Sequence, residues 1–205
     1  SIARSADSIL DCQAGVERGV AATKTFTSQV LCGIRLAIAV AHATGAGSRA
    51  LTAATMLERL PERFAVNVAL RSPVSDDDAR RLAATAGWLF LGTGSGLPYA
   101  AEGALKLQEI TYRWAETYPA AELKHGPLAL VGEGTPAVVI DNGAPQLMTT
   151  IAELRARGAE VITLGRTTGV ADTDTSRDPP WGPIEAVPQL QHLALSIATV
   201  LGRDI

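Results

Sequence analysis

The sequence is poor in aromatic residues, in cysteine, in basic charge and in long apolar runs, and each shortage excludes something. Phe, Trp and Tyr together make up only 4% of the 205 residues. Ala, Leu and Gly abound instead, which favours closely packed helices over a β-sandwich. The two cysteines, Cys12 and Cys32, are too few for a disulfide scaffold or a zinc site, and such sparing use suits a reducing, cytoplasmic setting. With a net charge of −3, the chain has no basic field to hold nucleic acid or an anionic membrane surface. The most apolar stretch, Val30 to Ala43, is interrupted by Arg35; at about 14 residues it falls short of the roughly 20 that cross a bilayer. No membrane-spanning or targeting segment is expected.

What is present is an ordinary globular balance. Apolar residues are 47% and charged residues 19% of the chain, which excludes a mostly disordered protein. The length suits one large domain, or one domain with part of another. The chain opens on Ser1 rather than Met, so it is expected either to start inside a longer gene product or to have had its start cut away.

The N-terminal part reads as a short strand over Asp7 to Leu10, a two-glycine loop over Ala14 to Gly19, and a long helix from about Ala22 to Ala43. Phe26, Val30, Ile34 and Ile38 recur there at i+4 steps, and Leu31, Cys32, Leu36 and Val40 broaden the stripe. A glycine stop follows between Thr44 and Ser48. Residues 49–72 read as a polar-faced helix broken at Pro61, and Asp76 to Ala86 as a short helix with acid in its first turn. From Trp88 onward strands and helices alternate. Strands are predicted over Trp88–Leu91, Ala137–Ile140, Glu160–Leu164 and, as a fourth, Pro183–Val187; helices over Pro98–Ala115, Ala144–Arg157 and Gln189–Gly202. Arg166 to Pro180, rich in Thr, Asp and Pro, reads as an exposed loop. Short apolar strands separated by helices of about 10–15 residues predict a parallel sheet covered by helices on both faces. Ligands of such sheets sit at the carboxyl ends of the strands.

Three segments carry candidate chemistry. Gly92-Thr93-Gly94-Ser95-Gly96 joins a strand to a helix. Its backbone N–H groups can hold an anion there; equally, its glycines can serve a tight turn. Leu97 stands where the dinucleotide fingerprint needs glycine, and no Gly-Lys-Ser or Gly-Lys-Thr occurs, so neither a dinucleotide site nor a P-loop is expected. Glu102, Lys106, Glu109 and Arg113 share one helix face, with Ala101, Leu105 and Tyr112 on an adjacent stripe suited to the core. The charged face is either solvated or lines a partly buried cleft, since the helix starts beyond a strand's carboxyl end and the charges lie among small apolar residues. In a cleft, a carboxylate beside an ammonium serves as a general base, the ammonium neutralising anionic charge nearby. His125 precedes Gly126-Pro127, which places it in a loop. His42 and His192 read as packing or surface residues. The histidines and cysteines do not cluster at metal-ligand spacings, so no metal and no cofactor is expected.

Three longer motifs occur in order: Gly19-Val20-Ala21-Ala22-Thr23-Lys24-Thr25-Phe26-Thr27-Ser28-Gln29, Glu102-Gly103-Ala104-Leu105-Lys106-Leu107-Gln108-Glu109-Ile110, and Ala121-Glu122-Leu123-Lys124-His125-Gly126-Pro127-Leu128-Ala129-Leu130. Together they resemble the isomerase half of the glucosamine-6-phosphate synthases (glutamine–fructose-6-phosphate aminotransferases), built of two sugar isomerase (SIS) domains, or a close SIS-family phosphosugar deaminase or isomerase. The resemblance covers nearly the whole chain. It implies a three-layer α/β/α, flavodoxin-like SIS fold with a parallel sheet. Residues 1–48 would be the C-terminal piece of a first SIS domain, 49–74 a helical linker and 75–205 a second SIS domain.

The resemblance also implies roles. Glu109 would move a proton between C1 and C2 of the open-chain sugar, with Lys106 beside it. His125 would assist ring opening from across a homodimer interface, and Val20 and Ala22 would line the sugar site. The implied partner is a phosphosugar of the fructose 6-phosphate or glucosamine 6-phosphate class, and the implied reaction is ketose-to-aldose isomerisation with amino transfer. A non-catalytic phosphosugar sensor, or an amino-sugar-phosphate deaminase, is the alternative. An aldose–ketose shift does need one base working on one face, charge or donors for the enediolate-like oxygen, and a separate acid/base for ring opening. The chain departs from the family in several places. The Ser/Thr-rich phosphate loop with Gly-Glu-Thr and the C-terminal tail with its Schiff-base lysine do not occur. Ala22 replaces a serine, Thr93 an arginine common there, and Trp114 a histidine usual in the helix. The chain is therefore expected to be a fragment of a larger enzyme, inactive alone.

Overall fold

The computed structural model describes residues 2–70, 72–165 and 179–204. Of the stretch expected as an exposed loop, residues 166–178 lie outside the described residues. The chain divides into two compact units, Ser1–Glu58 and Arg59–Ile205.

In the first unit, a 3₁₀ turn at Ile2–Arg4 leads through irregular chain into two helices, α1 (Lys24–Ala43) and α2 (Gly47–Glu58). Gly45 ends α1 in the left-handed region, at φ +87°, where glycine avoids the clash of a Cβ. The strand expected over Asp7 to Leu10 does not form. A strand needs a neighbour to complete its ladder; none is present here among the described residues, and Ile9 and Leu10 stay exposed. The 20-residue α1, with a mean hydropathy of 1.4, is long and apolar enough to cross a membrane by length and composition. This length exceeds the apolar stretch Val30 to Ala43 because it takes in the whole helix from Lys24. The same composition suits a helix that packs against further protein.

The second unit opens with α3 (Leu60–Ala69), which carries Pro61 in its first turn. The missing N–H costs nothing there, so the break expected at Pro61 falls just before α3 instead. The next helix, α4 (Asp76–Ala83), is capped by Ser75, whose Oγ accepts the Asp78 N–H at 3.1 Å. Then follow β1 (Gly87–Gly92), α5 (Leu97–Thr111), β2 (Trp114–Pro119), two 3₁₀ turns (Ala120–His125 and Pro127–Leu130), β3 (Pro136–Asp141), α6 (Gln146–Ala156), β4 (Glu160–Gly165) and α7 (Val187–Val200). The four strands form one parallel sheet in the order β2-β1-β3-β4.

Two expected elements are corrected. Pro183 to Val187 is not a strand; Ile184–Ala186 is a 3₁₀ turn that runs into α7. The fourth strand is β2, whose first two residues, Trp114 and Ala115, read in the sequence as the end of a helix and whose remainder is given no element there. The helix stops at Thr111 because Tyr112 turns left-handed, at φ +59°, with its N–H donating to the Gln108 carbonyl at 3.1 Å. Trp114 therefore lies in a strand.

Alternate strand residues serve opposite faces of the sheet. Leu89, Leu91, Ala137 and Val139 pack against Leu147, Ile151 and Leu154 of α6. Phe90 points the other way, to α5 at Gly103, beside Leu190 of α7. Helices thus cover both faces, in three layers.

Candidate active site

Helix α5 buries two charged side chains beside its apolar face, while Leu105 and the C-cap Tyr112 stay exposed. Lys106 is 3% exposed and Glu102 7%, whereas Leu105 is 45% and Tyr112 70% exposed. The expectation that Ala101, Leu105 and Tyr112 face the core is therefore overturned. The inward face is made by Ala100, Gly103, Ala104 and Leu107, and small residues decide this. A Cβ on Gly103 would stand 2.5 Å from Leu190 Cδ2 and 3.0 Å from Phe90 Cε1. The helix thus lies close against β1 and α7, and the stems of Glu102 and Lys106 are drawn in beside that line of contact.

The Lys106 ammonium donates to Glu109 Oε2 at 2.6 Å and lies 3.6 Å from Glu102 Oε1. Two carboxylates make burial of one cation tolerable. Glu109 is the outermost of the three, with 27% of its side chain exposed. Glu102 is the residue that sequence reasoning placed on this face but gave no role. Burial pushes its carboxyl above the usual carboxylate range, the Lys106 ammonium pulls it back, and Glu109 adds to the rise. Its Oε1 has no hydrogen-bond partner. Arg113 does not join the group, because the helix has ended before it; it is half-buried, with Nε unpartnered.

The pair does not sit where the helix begins. Glu109 is about 18 Å along the axis from Leu97 at 1.5 Å per residue, and the neighbouring Gln108 Nε2 donates to the Ala115 carbonyl at 2.7 Å, at the start of β2. The charged group thus lies toward the amino end of the sheet. The carboxyl end, between β1 and β3, is occupied by the glycine turn. Asn142 Nδ2 donates to the Thr93 carbonyl at 2.8 Å and ties the turn after β1 to the turn after β3. A Cβ on Gly92 would meet Gly96 C at 2.7 Å, so tight packing accounts for that glycine.

His125 ends the 3₁₀ turn Ala120–His125 and is exposed. Buried Leu123 and the Lys124–Glu153 ion pair, at 2.6 Å, anchor the turn from either side of its chain. Gly126, at φ +146°, permits the sharp exit. The imidazole shares no hydrogen bond or ion pair with Lys106 or Glu109. Val20 and Ala22 belong to the first unit, in the turn before α1; Val20 is 88% exposed and Ala22 half-buried. Among the described residues, no group of three or more His, Cys, Asp or Glu side chains is placed to hold a metal ion.

Residues 87–177 match the family model of the SIS domain. The Lys106–Glu109 pair and His125 lie inside the matched stretch. Over its whole length the chain is 38% identical to an isomerizing glutamine–fructose-6-phosphate aminotransferase of Thermus thermophilus, across 220 residues, and covers 36% of that relative. It is 40% identical to the enzyme of the same name from Halobacterium salinarum across 216 residues, again all of this chain and 36% of the relative. The chain thus spans about a third of the length of these curated relatives. Among solved structures, the C-terminal domain of glucosamine-fructose-6-phosphate aminotransferase from Francisella tularensis superposes with a TM-score of 0.80 at 28% identity, over 94% of this chain and 58% of that one. The α/β SIS fold expected from the resemblance is the fold observed.

Proposed function

We propose that the chain is the proton-transfer part of a phosphosugar isomerase–aminotransferase that turns fructose 6-phosphate into glucosamine 6-phosphate. The observation that carries this reading is the burial of Glu102 and Lys106 beside the apolar inward face of α5. A charged helix face that serves only solubility would stay in water. Here the buried ammonium grips a carboxylate that reaches the surface. Held at Oε2, Glu109 has Oε1 available as proton acceptor. In the proposed reaction the C2 ketone first condenses with ammonia and releases water; Glu109 then takes a proton from C1 of the open-chain imine and returns it to C2, which leaves the amine at C2 and the aldehyde at C1. Lys106 offsets the negative charge that develops on the sugar oxygen, and Glu102 fixes Lys106. Val20 and Ala22 are assigned to lining the sugar site.

His125 is assigned to ring opening, supplied by a second copy in a homodimer. Its exposed imidazole on a firmly anchored turn supports that assignment. Calorimetry with fructose 6-phosphate and glucosamine 6-phosphate, beside a turnover assay on the full-length protein, tests the function. Binding with turnover is expected; binding without turnover assigns a sensor instead.

A further inference from the structure

The N-terminus of α1 is capped in an unusual way. Thr23 occupies the N-cap position, yet its hydroxyl makes no capping bond. The first turn of a helix leaves backbone N–H groups without intrahelical partners, and here a carboxylate from upstream supplies the acceptor. Glu17 Oε2 accepts the Thr25 N–H at 3.1 Å, the Thr25 Oγ1 hydroxyl at 2.7 Å and the Thr23 N–H at 3.3 Å. Its Oε1 stands 3.5 Å from Thr23 Oγ1. Beside it, Lys24 Nζ donates to the Val16 carbonyl at 2.5 Å. Both feet of the segment from Val16 to Thr25 are therefore fastened together, by a negative group at the positive end of the helix. The residues between the feet have no such support. Arg18, Gly19 and Val20 are exposed, and among the described residues no backbone–backbone hydrogen bond outside helices and strands involves residues 18–22.

We propose that Glu17 is a positioning residue for sugar binding: its carboxylate closes the loop that presents the backbone of Val20, Ala21 and Ala22 to the hydroxyl groups of the phosphosugar. The inference rests on the assignment of this segment to sugar contact in the function proposed above. Glu17 touches neither the sugar nor the reacting carbons. It sets the conformation of groups that bind ground state and transition state alike, so its loss is felt in KM rather than in kcat.

Steady-state kinetics of the full-length protein with fructose 6-phosphate test this, using Glu17→Gln, Glu17→Ala and Thr25→Val. Glu17→Ala is expected to raise KM about tenfold or more while kcat stays within about twofold. Glu17→Gln, which keeps the volume and one acceptor, gives a smaller rise in the same direction. Thr25→Val also raises KM, and adds less than its own effect when combined with Glu17→Gln, since both remove one bond. An unchanged KM in well-folded Glu17→Gln and Thr25→Val proteins overturns the proposal, as does a fall in kcat at constant KM. Glu109→Gln in the same assay separates this from the functional reading. That variant must lose kcat if the reading holds, and its retention of kcat overturns the reading whatever the Glu17 variants do.

Discussion

Lys106 and Glu109 stand 2.6 Å apart on one helix, the lysine buried and the glutamate reaching the surface. The glutamate alone could be an ordinary surface acid. The lysine cannot be an ordinary surface base, because its ammonium is held inside by Glu109 and Glu102 together. The group is organised inward to outward, with Glu102 and Lys106 buried and Glu109 at the boundary with solvent.

That order sets the energetics of substitution. Lys106→Met leaves the Glu102 carboxylate buried without its counter-charge and is expected to destabilise the fold by about 3 kcal/mol. Adding Glu102→Gln to that variant recovers most of the loss, since no charge is then left inside. Chemical denaturation of the two variants beside the wild type measures both. Glu102→Gln alone has a pH signature. The folded protein raises the Glu102 pKa above its unfolded value, so burial of this group is easiest at acid pH and becomes a burden as pH rises through the folded value. The variant gains on the wild type as pH rises above the ordinary carboxylate range, and the two converge below it.

Glu17 behaves in the opposite sense. Hydrogen bonds from the Thr25 hydroxyl and then the Thr25 N–H hold its carboxyl below the usual range. The stabilisation it brings is present above its unfolded pKa and is lost as pH falls through the lower, folded value. Melting curves of the wild type and Glu17→Gln are expected to differ at neutral pH and to draw together below the ordinary carboxylate pKa of 4.5.

Gly103 is where α5 meets its neighbours most closely. Phe90 and Leu190, the side chains a methyl would strike, are each 1% exposed, so they must shift within the core to admit it. Gly103→Ala is expected to cost about 1–3 kcal/mol through overpacking, seen as a melting temperature lowered by several degrees. An unchanged melting temperature would mean that the helix does not press on the sheet at this point.

The strands β1, β3 and β4 are legible in the sequence because each is a run of apolar residues bounded by turn signals. The strand β2 is not. Trp114-Ala115-Glu116-Thr117-Tyr118-Pro119 is an edge strand with most of its side chains at least partly exposed, and nothing in Ile110-Thr111-Tyr112 announces a left-handed tyrosine. The Lys106–Glu109 pair is legible from its spacing, but its burial is not, because spacing cannot say which stripe of a helix turns inward. Gly103 is the missed signal. With Ala100, Ala104 and Leu107 it marks the line of close contact, and Glu102 and Lys106 flank that line. His125 is legible as a turn residue from Gly126-Pro127, while its anchoring through Leu123 and Lys124 depends on packing against residues distant in sequence.

The assignment of His125 to a neighbouring copy predicts complementation. Glu109→Gln and His125→Ala proteins, each nearly inactive alone, are mixed under conditions that exchange subunits. Mixed dimers then contain one intact site, and about a quarter of the wild-type rate returns by statistical pairing. If no activity returns although exchange is demonstrated by mass, the histidine acts within its own chain or not at all.

The most direct measurement concerns the carboxylate itself. Full-length wild-type and Glu109→Gln proteins are incubated with fructose 6-phosphate in deuterated water, and deuterium incorporation at C1 and C2 is followed by NMR alongside turnover. Loss of about 10²–10⁴-fold in both rates, at a retained melting temperature, is expected if Glu109 carries the proton. Exchange and turnover within about tenfold of the wild type would show that some other group does so.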